Sequence, residues 1–326
     1  MANSVLNVES LNVEFNMEGN YFHAVRDVSF KIEPGETLGL VGESGCGKSV
    51  TSLALVRLLT QSARVTGKIE YQGKNLLDLP ERDMRDIRGN EISMIFQEPM
   101  TSLNPVYKIG AQISETLLLH KDISPREAFQ QSLEMLKKVG IPRPEDIMDE
   151  YPHQLSGGMR QRIMIAIAMA CNPKLLIADE PTTALDVTIQ AQILELMKGI
   201  SKDLGTSILL ITHDLGVVAE MCDRVAVMYA GQIVEQGSVD DIFFNPQHPY
   251  TRGLLNAIPK IDAEQKQRLQ PIEGNVPPIT RMPKGCRFSP RCMHASDRCR
   301  AQQPGFFQVD NAEHLSRCWL NEAKEA

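Results

Sequence analysis

The stretch Gly42-Glu43-Ser44-Gly45-Cys46-Gly47-Lys48-Ser49 constrains this chain more than any other. It satisfies G-x-x-x-x-G-K-[ST], a loop that folds around phosphate. The residue types follow from that chemistry. Glycines let successive backbone N–H groups turn inward into an anion-binding nest. A helix starting there points the positive end of its dipole at the phosphates. Lys48 can reach the β- and γ-phosphates of a nucleotide, and the Ser49 hydroxyl can ligate Mg²⁺. Gly42, Glu43, Ser44, Gly45, Cys46 and Gly47 make the wall of the cradle. The flanks agree, with a short buried strand predicted over residues 37–41 and an apolar-faced helix over 49–59. An ordinary glycine-rich turn needs neither flank. Kinases, GTPases and many ATPases all carry such a loop, so the rest of the chain must choose among them.

Alternating apolar and polar residues predict strands over 5–15 and 24–32, with turn-like residues at 16–20 between them. Residues 68–71 and 91–96 read as strands, the second ending on Gln97. Residues 114–140 have helical period, with Leu117, Leu118, Leu119, Phe129, Leu133, Met135 and Leu136 as core candidates. Leu155-Ser156-Gly157-Gly158-Met159 opens a further apolar-faced helix through Cys171. Residues 174–178 and 207–212 are continuous apolar runs, as in strands buried on both faces of a parallel sheet. A helix lies between them at 188–204. Residues 223–237 read as a hairpin turning at Ala230-Gly231. Strands alternating with helices predict an α/β fold with a mostly parallel core sheet. Ligands in such folds collect beyond the carboxyl ends of the strands. The phosphate loop, Gln97, Asp179-Glu180 and His213 all follow predicted strands.

That placement assigns chemistry. Phosphoryl transfer to water needs charge neutralisation and an aligned nucleophile. Asp179 suits a carboxylate one layer out from Mg²⁺, and Glu180 suits a group that polarises the attacking water. Gln97 can touch Mg²⁺ and water, and His213 can hold the γ-phosphate. Phe15, Tyr21 and Phe22 each offer a ring to stack on adenine, of which Phe15 is the chosen candidate; for any one of them strand packing is the better account. Cys46 sits at a helix start, where a thiolate is stabilised, so it is expected to be reactive and protected by ATP.

Together the phosphate loop, Gln97, Leu155-Ser156-Gly157-Gly158, residues 175–180, Ala184-Leu185-Asp186 and His213 resemble the nucleotide-binding subunits of ATP-binding cassette (ABC) transporters. The likeness covers roughly residues 5–255. Met159 stands where that family commonly has Gln. The resemblance implies a P-loop NTPase core, an antiparallel β subdomain, an α-helical subdomain at about 100–160, and a cassette domain over 1–255. It also implies that Ser156, Gly157 and Gly158 bind ATP held on a partner's phosphate loop, that Asp186 contributes to nucleotide binding, and that two ATPases close on two ATP molecules.

Residues 96–105 and His248-Pro249-Tyr250-Thr251 narrow the likeness to oligopeptide and dipeptide importers. Gly285-Cys286 and Pro290-Arg291-Cys292 do the same. The group implies a second homologous ATPase, two integral-membrane permeases and a periplasmic or extracellular peptide-binding protein. Related importers of nickel, glutathione or antimicrobial peptides are alternatives. A soluble ABC ATPase of DNA repair or translation is less favoured, since one cassette and no sustained heptads are present. A non-hydrolysing subunit is disfavoured by Gln97, Glu180 and His213. The net charge of −7 does not favour a nucleic-acid partner. No signal-peptide pattern opens the chain and no apolar run reaches bilayer-spanning length. The expected location is therefore peripheral, on the cytoplasmic face of the inner (plasma) membrane.

A proline-rich stretch marks a change of composition, and residues 256–326 are expected to form a small cysteine-rich extension. Cys286, Cys292, Cys299 and Cys318 fit neither common zinc nor ferredoxin spacing. Four thiolates in a core-poor segment still suggest a stapled site. The importer resemblance implies a [4Fe–4S] cluster there, with Zn²⁺ the alternative and disulfides third.

Overall fold

Apolar residues at positions 6, 8, 11 and 13 cannot all face one side of an unbroken strand. The fold accommodates them with a local irregularity. The computed structural model describes residues 4–97, 102–182, 186–258 and 272–322. In it, β1 (Leu6–Met17) buries Leu6, Val8, Leu11 and Val13. Ser10, between the two pairs, takes a left-handed backbone (φ 46°), which slips the alternation by one residue as a β-bulge does. Its hydroxyl donates to Asp27 Oδ1 at 3.1 Å on the neighbouring β2 (Asn20–Ile32). Glu18 and Gly19 join the strands, both at positive φ, which suits a tight antiparallel hairpin.

The chain divides into two compact units. One contains the phosphate loop and takes Asn7–Lys31, Leu38–Glu70 and Thr212–Ala326. Within it β2, β1 and β4 (Ala63–Tyr71) are neighbours in one sheet. β3 (Thr37–Val41) leads into the loop and α1 (Lys48–Leu55) leads out. The helix stops short of residue 59 because Arg57 turns left-handed (φ 54°).

The other unit takes Met1–Leu6, Ile32–Thr37 and Tyr71–Ile211. It holds β5 (Lys74–Asn75), α2 (Glu81–Ile87), β6 (Ile92–Ile95), α3 (Ile109–His120), α4 (Pro125–Lys138) and α5 (Pro144–Ile147). Then come α6 (Gly157–Met169), β7 (Leu175–Asp179), α7 (Val187–Leu204) and β8 (Ser207–Thr212). β6, β7 and β8 pair in parallel, and every residue of β7 and β8 is buried. The helical period over 114–140 belongs to two helices. Ser124-Pro125 divides them: Ser124 accepts from the Glu127 N–H while Glu127 accepts from Ser124 in a capping box. Of the expected core residues there, Leu117, Leu133, Met135 and Leu136 are buried, but Leu118, Leu119 and Phe129 are exposed. Only one face of each short helix meets a neighbour.

In the phosphate-loop unit, α8 (Leu215–Met221), β9 (Arg224–Tyr229), β10 (Gln232–Ser238), α9 (Val239–Phe244) and α10 (Pro249–Asn256) follow in order. β9 pairs in parallel with β3, and β10 turns back antiparallel at Ala230-Gly231. Beyond residue 272 come α11 (Asp297–Ala301), β11 (Phe307–Gln308) and β12 (Leu315–Ser316). β12 adds antiparallel to β10, and β11 to β12. The parallel pairing expected of the core strands is present within each unit, and the expected hairpin adds an antiparallel strand; what the sequence did not foresee is that the tail extends the hairpin antiparallel through β10. Nor is the tail without a core, since Phe288 packs with Tyr229, Tyr250 and His248 among buried residues of the same unit. Among the described residues no helix is long and apolar enough to cross a membrane.

Candidate active site

The phosphate loop is held open by glycines at positive φ. Gly42 lies at φ 154°, and a Cβ there would meet Met228 O at 2.1 Å. Gly47, the N-cap of α1 (φ 106°), would set one 3.0 Å from the Met228 methyl. Above Gly45 (φ 77°) a Cβ would find nothing within 4 Å, so the cradle opens there. Lys48 is buried, and its ammonium donates to the carbonyls of Gly42 at 2.8 Å and Glu43 at 3.2 Å. Ser49 follows in the first turn of α1. This geometry fits a nucleotide phosphate with Mg²⁺: an open nest, a loop-bound cation and a hydroxyl at a helix start.

Glu43 faces elsewhere. Its N–H donates to Tyr250 Oη at 2.9 Å, and its carboxylate forms a two-pronged pair with Arg291 at 2.7 and 3.1 Å. Tyr250 and Arg291 lie 207 and 248 residues away, and sequence reasoning gave them no part in the site. No local pattern reveals them; only the shared core brings them to the loop.

Cys46 overturns an expectation. It is 1% exposed, and burial pushes its thiol above the ordinary range, outweighing the opposing pull of Lys48. The helix start does not make a reactive thiolate when the sulfur packs under the loop, 3.9 Å from Lys48 Nζ.

The other unit carries the carboxylates. β7 ends at Asp179, which is buried, and Glu180 follows with a left-handed backbone (φ 47°) and its N–H bonded to Ile211 O at 2.8 Å. Such a backbone costs a non-glycine residue energy and persists where neighbours over-determine it. Gln97, just past β6, donates from Nε2 to Glu180 Oε2 at 3.1 Å, so two of the expected catalytic side chains meet. Gln161 of α6 braces the same loop by donating to Pro181 O. His213 is exposed, just after β8.

Ser156 and Gly157 are exposed at the start of α6, where Ser156 Oγ accepts from the Met159 N–H at 3.3 Å. Gly158 is closed against Ile189, which a Cβ would approach to 3.1 Å. Asp186 caps α7, accepting from Ile189 N–H at 3.0 Å. Phe15 is half-buried on β1 and Tyr21 is exposed on β2. Ala184, Leu185 and residues 98–101 lie outside the described residues.

Cys286, Cys292, Cys299 and Cys318 line one cavity of ≈ 240 Å³ together with Phe288 and Trp319. Burial pushes the Cys286 and Cys292 thiols up and takes Cys318 to about 11. Ser296 Oγ lies 3.3 Å from Cys299 Sγ. Among the described residues, however, no group of three His, Cys, Asp or Glu could hold a metal ion as placed. The thiols share a cavity without the close convergence that zinc requires.

Comparison with known proteins decides the family. The oligopeptide transport ATP-binding protein AppD of Bacillus subtilis is 55% identical over 99% of this chain and 98% of its own length. The chain belongs to the oligopeptide/dipeptide branch of the ABC ATPases. OppD of Escherichia coli is 52% identical over 93% of this chain and 90% of its own length, and B. subtilis DppD is 52% identical over 98% and 96%. Residues 25–183 match the family described as ABC transporter. Residues 234–299 match the oligopeptide/dipeptide transporter C-terminal region, which begins before residue 256. Among solved structures, the dimeric cassette MJ0796 bound to ADP and Pi aligns with a TM-score of 0.65 at 26% identity, covering 72% of this chain and 98% of that one. CbiO1 of Clostridium perfringens gives 0.63 at 29%, covering 74% and 92%.

Proposed function

We propose that this ATPase is the energy-coupling subunit of an importer of oligopeptides or dipeptides. The carrying observation is its likeness to AppD, OppD and DppD, which runs through both the cassette and the C-terminal region. Lys48 and the loop N–H groups bind the phosphates, and Ser49 and Gln97 are the side chains that would hold Mg²⁺, which supplies charge neutralisation for the transferring phosphoryl group. Asp179 would orient water beside a bound ion, Glu180 would take the proton of the attacking water, and His213 would steady the γ-phosphate. The hydrogen bond from Gln97 to Glu180 supports this division of roles, because it brings the two side chains together and orients the carboxylate. Phe15 stacks on adenine.

The exposed Ser156 and Gly157, with Gly158 behind them, complete the ATP site of a second, homologous ATPase, whose own signature segment completes this one. MJ0796 is a dimeric cassette. Both ATPases sit on two membrane permeases at the cytoplasmic face, supplied by a peptide-binding protein outside. Copurification tests the assembly: two permeases and a second ATPase are expected with the tagged chain, and a homodimer free of membrane proteins would overturn it.

The cysteine cavity of the tail is read as the site of a [4Fe–4S] cluster. What supports this reading is that the four thiols line one space, with Zn²⁺ the alternative occupant. Iron and acid-labile sulfide analysis of the purified chain tests it; a colourless protein loaded with zinc would sink the cluster.

A further inference from the structure

Glu43 is an odd residue for a phosphate cradle, because an acid there repels the ligand unless its charge is spent elsewhere. Here it is spent on Arg291. The guanidinium meets both carboxylate oxygens, Nη1 to Oε2 at 2.7 Å and Nη2 to Oε1 at 3.1 Å. Arg291 has little freedom to let go. Its side chain is 4% exposed, and it also donates to Glu273 O at 2.9 Å and Ile272 O at 3.0 Å. The Tyr229 ring lies alongside, 5.8 Å from its centroid to the guanidinium carbon. Glu43 is gripped a second time through its N–H by Tyr250 Oη. From Glu43 the connection continues into the loop: its carbonyl accepts from Lys48 Nζ at 3.2 Å and from the Cys46 N–H at 3.2 Å. On the other side, Arg291 adjoins Cys292, which lines the cysteine cavity.

We propose that Arg291 is a positioning residue for the phosphate loop, and that through its pair with Glu43 the cysteine-bearing tail sets the loop's backbone for ATP. A two-pronged charged pair fixes angle as well as distance, which a point-charge lysine does not. The inference rests on reading residues 42–49 as the ATP-binding loop.

The test is binding of a fluorescent ATP analogue with Mg²⁺ to the full chain and to Arg291→Gln, Arg291→Lys, Glu43→Gln and the double Gln variant. Each single Gln change is expected to weaken ATP binding about tenfold, or about 1.4 kcal/mol. Arg291→Lys should fall between wild type and Gln. The double variant should bind no worse than either single one, because both remove the same pair. Glu43→Gln, isosteric and partly exposed, keeps the test open if Arg291→Gln misfolds. Unchanged binding in the singles, or losses that multiply in the double, overturns the proposal. A wild type that does not bind ATP overturns the nucleotide reading itself, and this inference with it.

Discussion

Glu180 shows how much one residue can be asked to do. It follows a fully buried strand, its backbone is left-handed, and Gln97 holds one of its oxygens. Removing a positioned base costs on the order of 100- to 10,000-fold in rate. Glu180→Gln should lose turnover on that scale while still binding ATP, as a phosphate-release assay beside nucleotide titration will show; full hydrolysis in that variant would remove Glu180 from its role. His248 makes a different prediction. It is buried, its Nδ1 accepts the Tyr250 N–H at 3.1 Å, and burial lowers its pKa to about 3. The unfolded chain protonates this ring near pH 6.5, whereas the folded chain refuses the proton until about pH 3. Stability is therefore complete above pH 6.5 and drains away as pH falls towards 3, at up to about 1.4 kcal/mol per pH unit. His248→Asn retains a cap for α10 and should flatten that part of the profile in urea unfolding measured from pH 7 to 4. An unchanged slope would show that other groups set it.

Among the elements, helices and strands differ in what holds them. The β7 run Leu175–Asp179 is buried throughout, between parallel neighbours β6 and β8. Ile177→Ala should cost about 2–5 kcal/mol, since a cavity replaces atoms packed on every side. α4 depends instead on its start. Ser124→Ala removes the capping box and should cost about 0.5–2 kcal/mol, read as a lower urea midpoint with unchanged slope. The same Ser-Pro-Arg-Glu segment divides what looks periodic enough to be one helix. Periodicity alone did not reveal the break, because the residues on either side keep a helical spacing and only the cap at Ser124 shows that the chain restarts.

For the whole molecule, in the proposed assembly the signature segment and the phosphate loop belong to sites that a single chain does not complete. The isolated protein should bind ATP yet hydrolyse it slowly, and rates should rise more steeply than linearly with concentration once the second ATPase is added, as enzyme-coupled assays across a dilution series will show. A rate per chain that ignores dilution and partner would argue for a self-sufficient monomer. Much of this was legible in the residues. The phosphate loop, the apolar strands that deliver Asp179, Glu180 and His213, and the Ser156-Gly157-Gly158 helix start are local patterns. Local chemistry dictates them: a nest needs glycine, a buried strand needs an apolar run, and a helix start needs a cap. The sequence by itself thus determined the class of ligand and the element on which each group stands. It misread Cys46, whose helix-start position suggests a thiolate while its burial pushes the thiol's pKa up. It missed the tail strands β11 and β12, because strands of two residues carry no periodicity. It also gave no sign of the grip on Glu43. Tertiary structure alone decided that, because Tyr250 and Arg291 reach the loop through a common core, and a contact spanning more than 200 residues leaves no trace in the spacing around either end.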